Sequence, residues 1–332
     1  MLSLAHRIAT SSGFPTTLME AVSHFRDEAV CREFIAEVCW PDGVRCIACR
    51  SDRVGIIRTR ATWQCRDCRR QFSVRKGTIF EDSRLPLSKW LVALWVYTAG
   101  KKSRSSHQLA RDVGVSQRTA WFMGHRLRLA METEEADPRL SGEVEVDETF
   151  VGGKEKNKHE ARRLHAGRGP VGKMAVMGLL SRHGPNGHSV VHAVPVTNRK
   201  KTTLQGVIQT SVARDSTIYS DALHSYDGLD AQYIHEVIDH SEAYVRGRIS
   251  TNGIENFWSL FKRVIYGTHH SVTPVHLDRY LAEATFKFNT RSHRDNVRFI
   301  GTACRLVGRH LSYAALTARD GLGSGDPGLL PT

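Results

Sequence analysis

Three acidic residues in separate stretches of this chain have the side chains needed for metal-assisted chemistry on a phosphate ester: Asp147, Asp221 and Glu255. Carboxylates are the hard oxygen ligands that Mg²⁺ prefers. Two such ions about 3.5–4 Å apart can activate a hydroxyl and neutralise the attacking and leaving oxygens of a phosphodiester. We expect Asp147 to bridge two Mg²⁺ ions and the other two acids to complete one site each. Mn²⁺ should be able to replace Mg²⁺.

Two strands and a helix are predicted to carry these acids. Asp147 lies in residues 142–151, where polar and apolar residues alternate as in a half-buried strand. Asp221 closes a short β-rich run, and Glu255 lies near the start of a helical stretch. The sequence therefore predicts one carboxylate on each of three elements.

Neighbouring acids compete with Asp147 for its role. Alternate residues of a strand point the same way, so Glu145 shares a strand face with Asp147 and either supports the site or is solvated. Glu148 points to the opposite face, where we expect a basic partner.

The charge balance favours a polyanionic partner. The 332 residues contain 47 Lys and Arg against 34 Asp and Glu, which gives a formal net charge of +13. Nucleic acid is the simplest partner for such a surplus. A basic run after the first predicted strand either follows a DNA backbone or is a solvated loop, and we favour DNA contact for Lys154, Lys156 and Lys158.

The helix of Glu255 offers further contacts to DNA. Lys262 follows Glu255 by seven residues, so both lie on one helix face two turns apart. Lys262 either contacts a phosphate near the reacting bond, the role we favour, or is a solvated lysine. Asn252 shares this face, and we expect Asn252 and Arg263 to contact DNA as well.

Two pairs of cysteines predict a structural zinc site. Cys46 and Cys49 form one Cys-x-x-Cys pair, and Cys65 and Cys68 form another after fifteen intervening residues. This spacing suits a tetrahedral four-thiolate site in a small ribbon of β-hairpins, whereas chance pairs or a redox dithiol are the alternatives. The odd total of seven cysteines favours reduced thiols and therefore the cytoplasm. No apolar run approaches the ~20 residues of a membrane span, and no secretory signal is evident.

A helix-turn-helix is predicted after the zinc ribbon. Residues 105–113 give a short helix, 114–116 a tight turn, and 117–131 a longer basic helix. The residues expected to contact DNA here are Gln117, Arg118, Arg126 and Arg128.

The later elements follow an informative order. After an acidic linker at 133–138, three strands, a helix, and then alternating strands and helices are predicted. This is the order of the ribonuclease-H-like fold, in which carboxylates on the first strand, at the end of the fourth strand and on a late helix converge. The fold class expected is thus multidomain α+β. Its domains are an N-terminal helical segment (1–40), a zinc ribbon (41–76), a helical DNA-binding region with the helix-turn-helix (77–135), a ribonuclease-H-like catalytic domain (140–300) and a C-terminal tail (301–332).

Several motifs together resemble the DDE-class transposases of bacterial insertion sequences, in the ISXO2-like (IS1595) family. They are the two cysteine pairs, residues 115–121, 146–154, Ser220-Asp221 with Ser225-Tyr226, 251–259 with Lys262-Arg263, and 267–270. Where the family commonly has His-Thr-Asn, this chain has Ser250-Thr251-Asn252.

This resemblance implies a transposase that binds the terminal inverted repeats of its own element and cuts and joins DNA strands. Asp147, Asp221 and Glu255 match the catalytic acids, and Lys262 matches the basic residue one heptad later. It implies a homodimer or higher homo-oligomer on DNA, because two element ends must be paired, and a bacterial, nucleoid-associated location. The alternatives are a DNA-binding regulator with an inactive catalytic domain and a nuclease of the same fold.

Overall fold

A computed structural model of the chain describes residues 2–132, 139–153, 160, 172–184, 187–238 and 248–318. Its helices are α1 (Leu2–Ala9), α2 (Leu18–His24), α3 (Glu28–Cys39), α4 (Leu87–Ala99), α5 (Ser106–Val113), α6 (Gln117–Met131), α7 (Lys201–Ser211), α8 (Asn252–Val264), α9 (Leu277–Asn289), α10 (Asp295–Ala303) and α11 (Tyr313–Thr317). Its strands are β1 (Val54–Ile57), β2 (Thr62–Cys65), β3 (Gln71–Phe72), β4 (Glu143–Val151), β5 (Met174–Ser181), β6 (Val190–Val196), β7 (Thr217–Asp221) and β8 (Ile234–Ile238).

The chain forms two compact units that do not follow its linear order. The first contains residues up to 100, 104–131 and the chain from 293 onward. The second contains 101–103 and 132–292. The predicted linker at 133–138 lies outside the described residues.

The first unit is built around long apolar helices. The sequence suggests one helical region at 16–38, but the structure has two helices there. Helix α2 ends at His24 with Phe25 as its C-cap, and Asp27 caps α3 by accepting from the backbone N–H of Ala29 at 2.7 Å. Pro86 precedes α4, whose buried side chains include Trp90 and Trp95. These caps and apolar faces set where each helix begins and what it buries.

The C-terminal part of the chain completes this first unit. Phe299 of α10 is fully buried, stacks on Phe34 with ring centroids 5.4 Å apart, and lies 5.0 Å from Trp95. Leu306 and Leu316 are buried as well. The division thus differs from the expected one, in which the catalytic domain ran to 300 and a tail followed, because these apolar side chains are buried with the N-terminal helices.

Within the first unit, β1, β2 and β3 form a three-stranded antiparallel sheet. Cys46, Cys65 and Phe72 form its small core, with Trp40 and Trp63 packed against it. A core of this size buries little apolar surface, which is why small ribbons depend on a bound metal.

The second unit is a mixed α/β sheet in the order β6-β5-β4-β7-β8. The strands β6, β5 and β4 pair antiparallel, whereas β4, β7 and β8 pair parallel. Helix α7 packs on one face through Leu204 and Ile208, and α8 and α9 pack on the other through Phe257, Trp258 and Leu281. The strands and helices predicted for this region are present in the predicted order. In the part of the chain that the structure describes, no helix has both the length and the apolar character that a membrane span requires.

Candidate functional site

The pairing of β4 with β7 brings two of the predicted acids, Asp147 and Asp221, next to each other. These strands are parallel, and Glu145 lies opposite Tyr219. The same register continued by two residues brings Asp147 beside Asp221, the last residue of β7. Neighbouring strands lie about 4.8 Å apart and residues in register share a face, so both carboxylates project from the same side of the sheet.

Helix α8 crosses that side of the sheet and carries the third acid. On β5, Gly178 lies opposite Asp147. A Cβ atom on Gly178 would lie 2.4 Å from Cζ2 of Trp258 and 2.8 Å from Cδ1 of Ile254. Glycine therefore lets α8 lie directly against the strand next to Asp147, and Glu255 follows Ile254 in this first turn.

The pKa of Asp147 is shifted by the charges of the other predicted site residues. Burial, followed by the negative charge of Asp221 and that of Glu255, raises the pKa of Asp147 from its ordinary 3.8 to about 6. The backbone N–H of Glu148 and the positive charge of Lys262 act in the opposite direction. The structure thus brings Asp221, Glu255 and Lys262 within electrostatic reach of Asp147.

The donor set of this acidic cluster fits a hard divalent cation. Three carboxylates without a matching number of positive charges repel one another, and a bound cation would relieve that repulsion. The three carboxylates are less close together than the four cysteines described below. Among the described residues, those cysteines are the one close set of metal-ligating side chains. The carboxylate of Glu255 accepts a hydrogen bond from Oγ1 of Thr251 at 3.0 Å, which holds it at the start of α8.

The two rival acids on β4 are both engaged elsewhere. Glu145 is only 3% exposed, so it is not a solvated residue. Its Oε1 accepts from Nε of Arg182 at 2.8 Å, and its Oε2 accepts from the backbone N–H of Ile254 at 2.9 Å. These bonds leave Glu145 a supporting role beside the acidic cluster.

Glu148 faces the other side of β4, as expected, but its direct partner is a hydroxyl rather than a basic side chain. The phenol of Tyr226 donates a hydrogen bond to it. Burial, then the charges of Asp221 and Asp147, raise the pKa of Glu148 to about 8, whereas Arg199 acts to lower it. Glu148 is therefore largely protonated at neutral pH in the metal-free protein.

The residues on α8 that were expected to contact DNA lie at its surface. Asn252 and Arg263 are exposed, and Lys262 is half-buried. Arg263 donates to Oγ of Ser259 at 2.8 Å, an exposed contact that a phosphate can replace. The basic run with Lys154, Lys156 and Lys158 lies outside the described residues.

The four predicted zinc ligands converge. Their Sγ atoms all lie within 4.8 Å of one another: Cys46, Cys49, Cys65 and Cys68. The Cys46–Cys68 and Cys49–Cys65 sulfur pairs are 3.5 Å apart. Four thiolates about 2.3 Å from a zinc ion have such separations. The backbone N–H of Cys49 lowers the pKa of Cys46, and that of Cys68 lowers the pKa of Cys65, so both thiols are disposed to lose their protons to a metal.

In the helical hairpin of the first unit, the exposed residues of the second helix, α6, lie at its beginning. Gly114 ends α5 with a φ of 63°, and Nζ of Lys89 donates to its carbonyl oxygen at 2.7 Å. Gln117 and Arg118 then open α6 at the surface. The guanidinium of Arg118 contacts Tyr313 of α11, with its Nη2 2.8 Å from the phenol oxygen.

Arg126 and Arg128 lie in the interior, which argues against the prediction that they contact DNA. Each is 2% exposed. Arg126 donates to the carbonyl oxygens of Leu311, Ile79 and Glu81 at 2.9, 2.8 and 2.6 Å. Arg128 lies over the ring of Tyr97, 5.5 Å from its centroid. Enclosed guanidinium groups cannot reach a phosphate, so these two arginines are structural.

Comparisons with known proteins agree with this arrangement. Residues 26–71 match the family described as "Transposase zinc-ribbon domain" and residues 139–289 match the "ISXO2-like transposase domain". A four-cysteine ribbon followed by such a domain defines the class as transposase. The chain belongs to the IS1595 family of transposases with an N-terminal zinc ribbon.

Two relatives show the extent of the similarity. One, from Halobacterium salinarum, is described as an uncharacterized protein in transposable element ISH50; it is 29% identical over 277 residues, which cover 79% of this chain and 91% of that protein. An uncharacterized transposase-like protein of Haemophilus influenzae is 32% identical over 111 residues, which cover 33% of this chain and 89% of that protein.

Proposed function

We propose that this transposase binds the terminal inverted repeats of its insertion sequence and catalyses Mg²⁺-dependent cleavage and transfer of DNA strands. The observation that carries the proposal is geometric: the register of β4 and β7 brings Asp147 beside Asp221, and Gly178 lets the first turn of α8, with Glu255, lie against the strand next to Asp147. The charges of Asp221 and Glu255 also raise the pKa of Asp147. Asp147 and Asp221 are partly buried and Glu255 is exposed, and carboxylates that repel one another suit a site for divalent cations rather than an ordinary salt bridge. Two Mg²⁺ ions, when bound, would activate the attacking hydroxyl and neutralise the reacting phosphate.

The proposed roles follow the positions of the side chains. Asp147 is on β4, the strand between β5 and β7, and would hold both ions, with Asp221 and Glu255 each holding one. Thr251 donates to Glu255 and so orients its carboxylate. Lys262 is two helical turns from Glu255 and would bind a phosphate of the strand being cut.

The fold of the second unit supports the same proposal. Three antiparallel strands joined to two parallel ones, with helices on both faces, are what a ribonuclease-H-like domain requires. We assign the helical hairpin of α5 and α6 as a helix-turn-helix, because Gln117 and Arg118 lie at the start of the second helix, where such motifs contact bases. Together with Asn252 and Arg263 they form the proposed DNA-contacting set. Two ends are paired in this reaction, so we expect a homodimer or higher oligomer on DNA.

The test uses purified protein and a duplex carrying the inverted repeats that flank its gene. Nicking at the repeat tip and joined products in Mg²⁺ or Mn²⁺ are expected for the wild type, and binding without either product for Asp147→Asn. Asp227→Asn is the matched control, because Asp227 is a well-exposed aspartate of the same unit. Tight binding with no nicking by the wild type in either metal would refute the enzymatic proposal and favour a DNA-binding regulator.

A further inference from the structure

A carboxylate from one strand occupies the N-terminus of the helix that carries Glu255. The side chain of Thr251, the residue that precedes α8, makes no N-cap hydrogen bond to the helix backbone, and its Oγ1 donates to the carboxylate of Glu255. Instead, Oε2 of Glu145 accepts from the backbone N–H of Ile254, the third residue of α8, at 2.9 Å. That N–H is the one that an N-cap side chain normally satisfies, and a negative charge is favoured at this end of a helix. Glu145 therefore caps α8 from a distant position in the sequence.

The approach of Glu145 requires the glycine at position 253. A Cβ atom on Gly253 would lie 2.8 Å from Oε2 of Glu145 and 3.2 Å from its Oε1 and Cδ. Any larger residue would push the carboxylate away from the helix. With glycine at position 253, the carboxylate of Glu145 fits between β4 and the first turn of α8.

Arg182 fixes the other end of this carboxylate and the loop that leads to α8. Its Nε donates to Oε1 of Glu145 at 2.8 Å. Its Nη1 donates to the carbonyl oxygen of Arg248 at 2.6 Å, and its Nη2 donates to the carbonyl oxygen of Ser250 at 2.8 Å and to Oγ of Ser250 at 3.0 Å. The guanidinium also lies over the ring of Tyr219, 4.3 Å from its centroid. One planar side chain thereby links β5, β4, β7 and the loop before α8, a task that suits arginine and not lysine.

We propose that Glu145 and Arg182 form a clamp that sets the first turn of α8 against the sheet and thereby holds Glu255 at the correct distance from Asp147. Glu145 lies two residues before Asp147 on β4, and Glu255 directly follows the residue that Glu145 caps. Both oxygens of Glu145 are occupied and its side chain is buried, so it is a positioning residue and not a metal ligand. The inference rests on the proposed function, in which Asp147 and Glu255 bind the same metal ions. The distance between these two acids therefore matters for metal binding.

The test compares Glu145→Gln and Arg182→Lys with the wild type and with Asp227→Asn. Glutamine has one oxygen for two donors and no charge, and lysine keeps the charge but reaches one acceptor instead of several. The Mg²⁺ concentration for half-maximal nicking is expected to rise about 10- to 100-fold in both variants, as for other residues that orient metal ligands. Binding of the end duplex should remain within about twofold of wild type, and Asp227→Asn should leave all values unchanged.

A second measurement follows the clamp without relying on activity. Hydrogen exchange of the α8 amides should speed up at Ile254 and its neighbours in both variants, with little change in β4 and β5. Glu145→Ala should exceed Glu145→Gln in both readouts, because glutamine can still accept from the Ile254 N–H.

Unchanged Mg²⁺ requirement and unchanged exchange in Glu145→Gln and Arg182→Lys would overturn the clamp. If the wild type neither nicks DNA nor binds Mn²⁺, the proposed function fails, and exchange at Ile254 alone then decides whether the clamp exists. If the wild type is active and the variants unfold, Arg182→Met paired with Glu145→Gln removes the charge from both partners and must still raise the Mg²⁺ requirement.

Discussion

Replacing Asp147 by asparagine is expected to stabilise the metal-free protein while abolishing its chemistry. The folded chain raises the pKa of Asp147 from 3.8 to about 6, so it binds this proton more tightly than the unfolded chain does. The free energy of unfolding therefore falls as pH rises between about 4 and 6, and the loss is complete above the folded pKa. A shift of this size corresponds to roughly 3 kcal/mol.

The asparagine variant carries no such cost. Its side chain has nearly the same shape and its oxygen can still accept from the backbone N–H of Glu148. At pH 8 the variant is expected to be more stable than the wild type by up to about 3 kcal/mol, and at pH 4 by only about 0.5 kcal/mol. Mg²⁺ should stabilise the wild type, because it binds the folded state, and have little effect on the variant.

Urea titrations in EDTA, with hydrogen exchange of β4 and β5 reporting on the second unit, would measure these differences. Asp227→Asn, at an exposed position, controls for the loss of one negative charge. An equal stability difference between wild type and Asp147→Asn at pH 4 and pH 8 would show that Asp147 does not lie in a cluster of repelling carboxylates, and the proposed site would lose its main support.

Perturbations elsewhere distinguish structural residues from those that contact DNA. Arg118→Ala should weaken binding of the end duplex by about 1–3 kcal/mol at unchanged melting temperature, measured by fluorescence anisotropy. Arg126→Met should instead lower the free energy of unfolding by about 3 kcal/mol or more, because it leaves three buried carbonyl oxygens without a donor; equal effects of the two changes on binding would contradict this distinction. Gly178→Ala should destabilise the second unit by about 1–3 kcal/mol in a urea titration, because its methyl group overlaps Trp258, and a neutral effect would show that α8 lies further from β5. Cys65→Ser should lower the zinc content, measured by mass spectrometry, from one ion per chain and unfold the ribbon, whereas a folded zinc-free ribbon would exclude a structural role for the metal.

Local sequence patterns were sufficient for much of the second unit and for the zinc ribbon of the first. The alternation around Asp147 predicted β4, and the four cysteines predicted the ribbon, because in each case the period or spacing itself reflects the geometry. Side chains alternate between the two faces of a strand, and this alternation predicted that Glu145 and Asp147 share one face of β4 and that Glu148 points to the other. The role of Lys262 stays a prediction.

Other features depended on contacts between residues far apart in sequence. The burial of Arg126 could not be read from its helix, because the carbonyl oxygens that enclose it come from 79–81 and Leu311. Nor could the link between Glu145 and Ile254, which are over one hundred residues apart; the one local signal was Gly253, a glycine in the first turn of a helix. The packing of α10 was missed because its apolar residues find their partners in helices near the N-terminus.

The discontinuity of the first unit affects the order in which the protein can be made. Its last helices are translated about 160 residues after α6, which at usual rates of synthesis is roughly 10 to 30 s later. During that interval the zinc ribbon can already bind its metal, and the second unit emerges whole and can fold. The aromatic cluster around Phe34 and Trp95 has to wait for Phe299. A ribosome that stops early therefore releases a chain whose first unit is unfinished. Under the proposed function, only a fully translated copy would then compete for the element's ends.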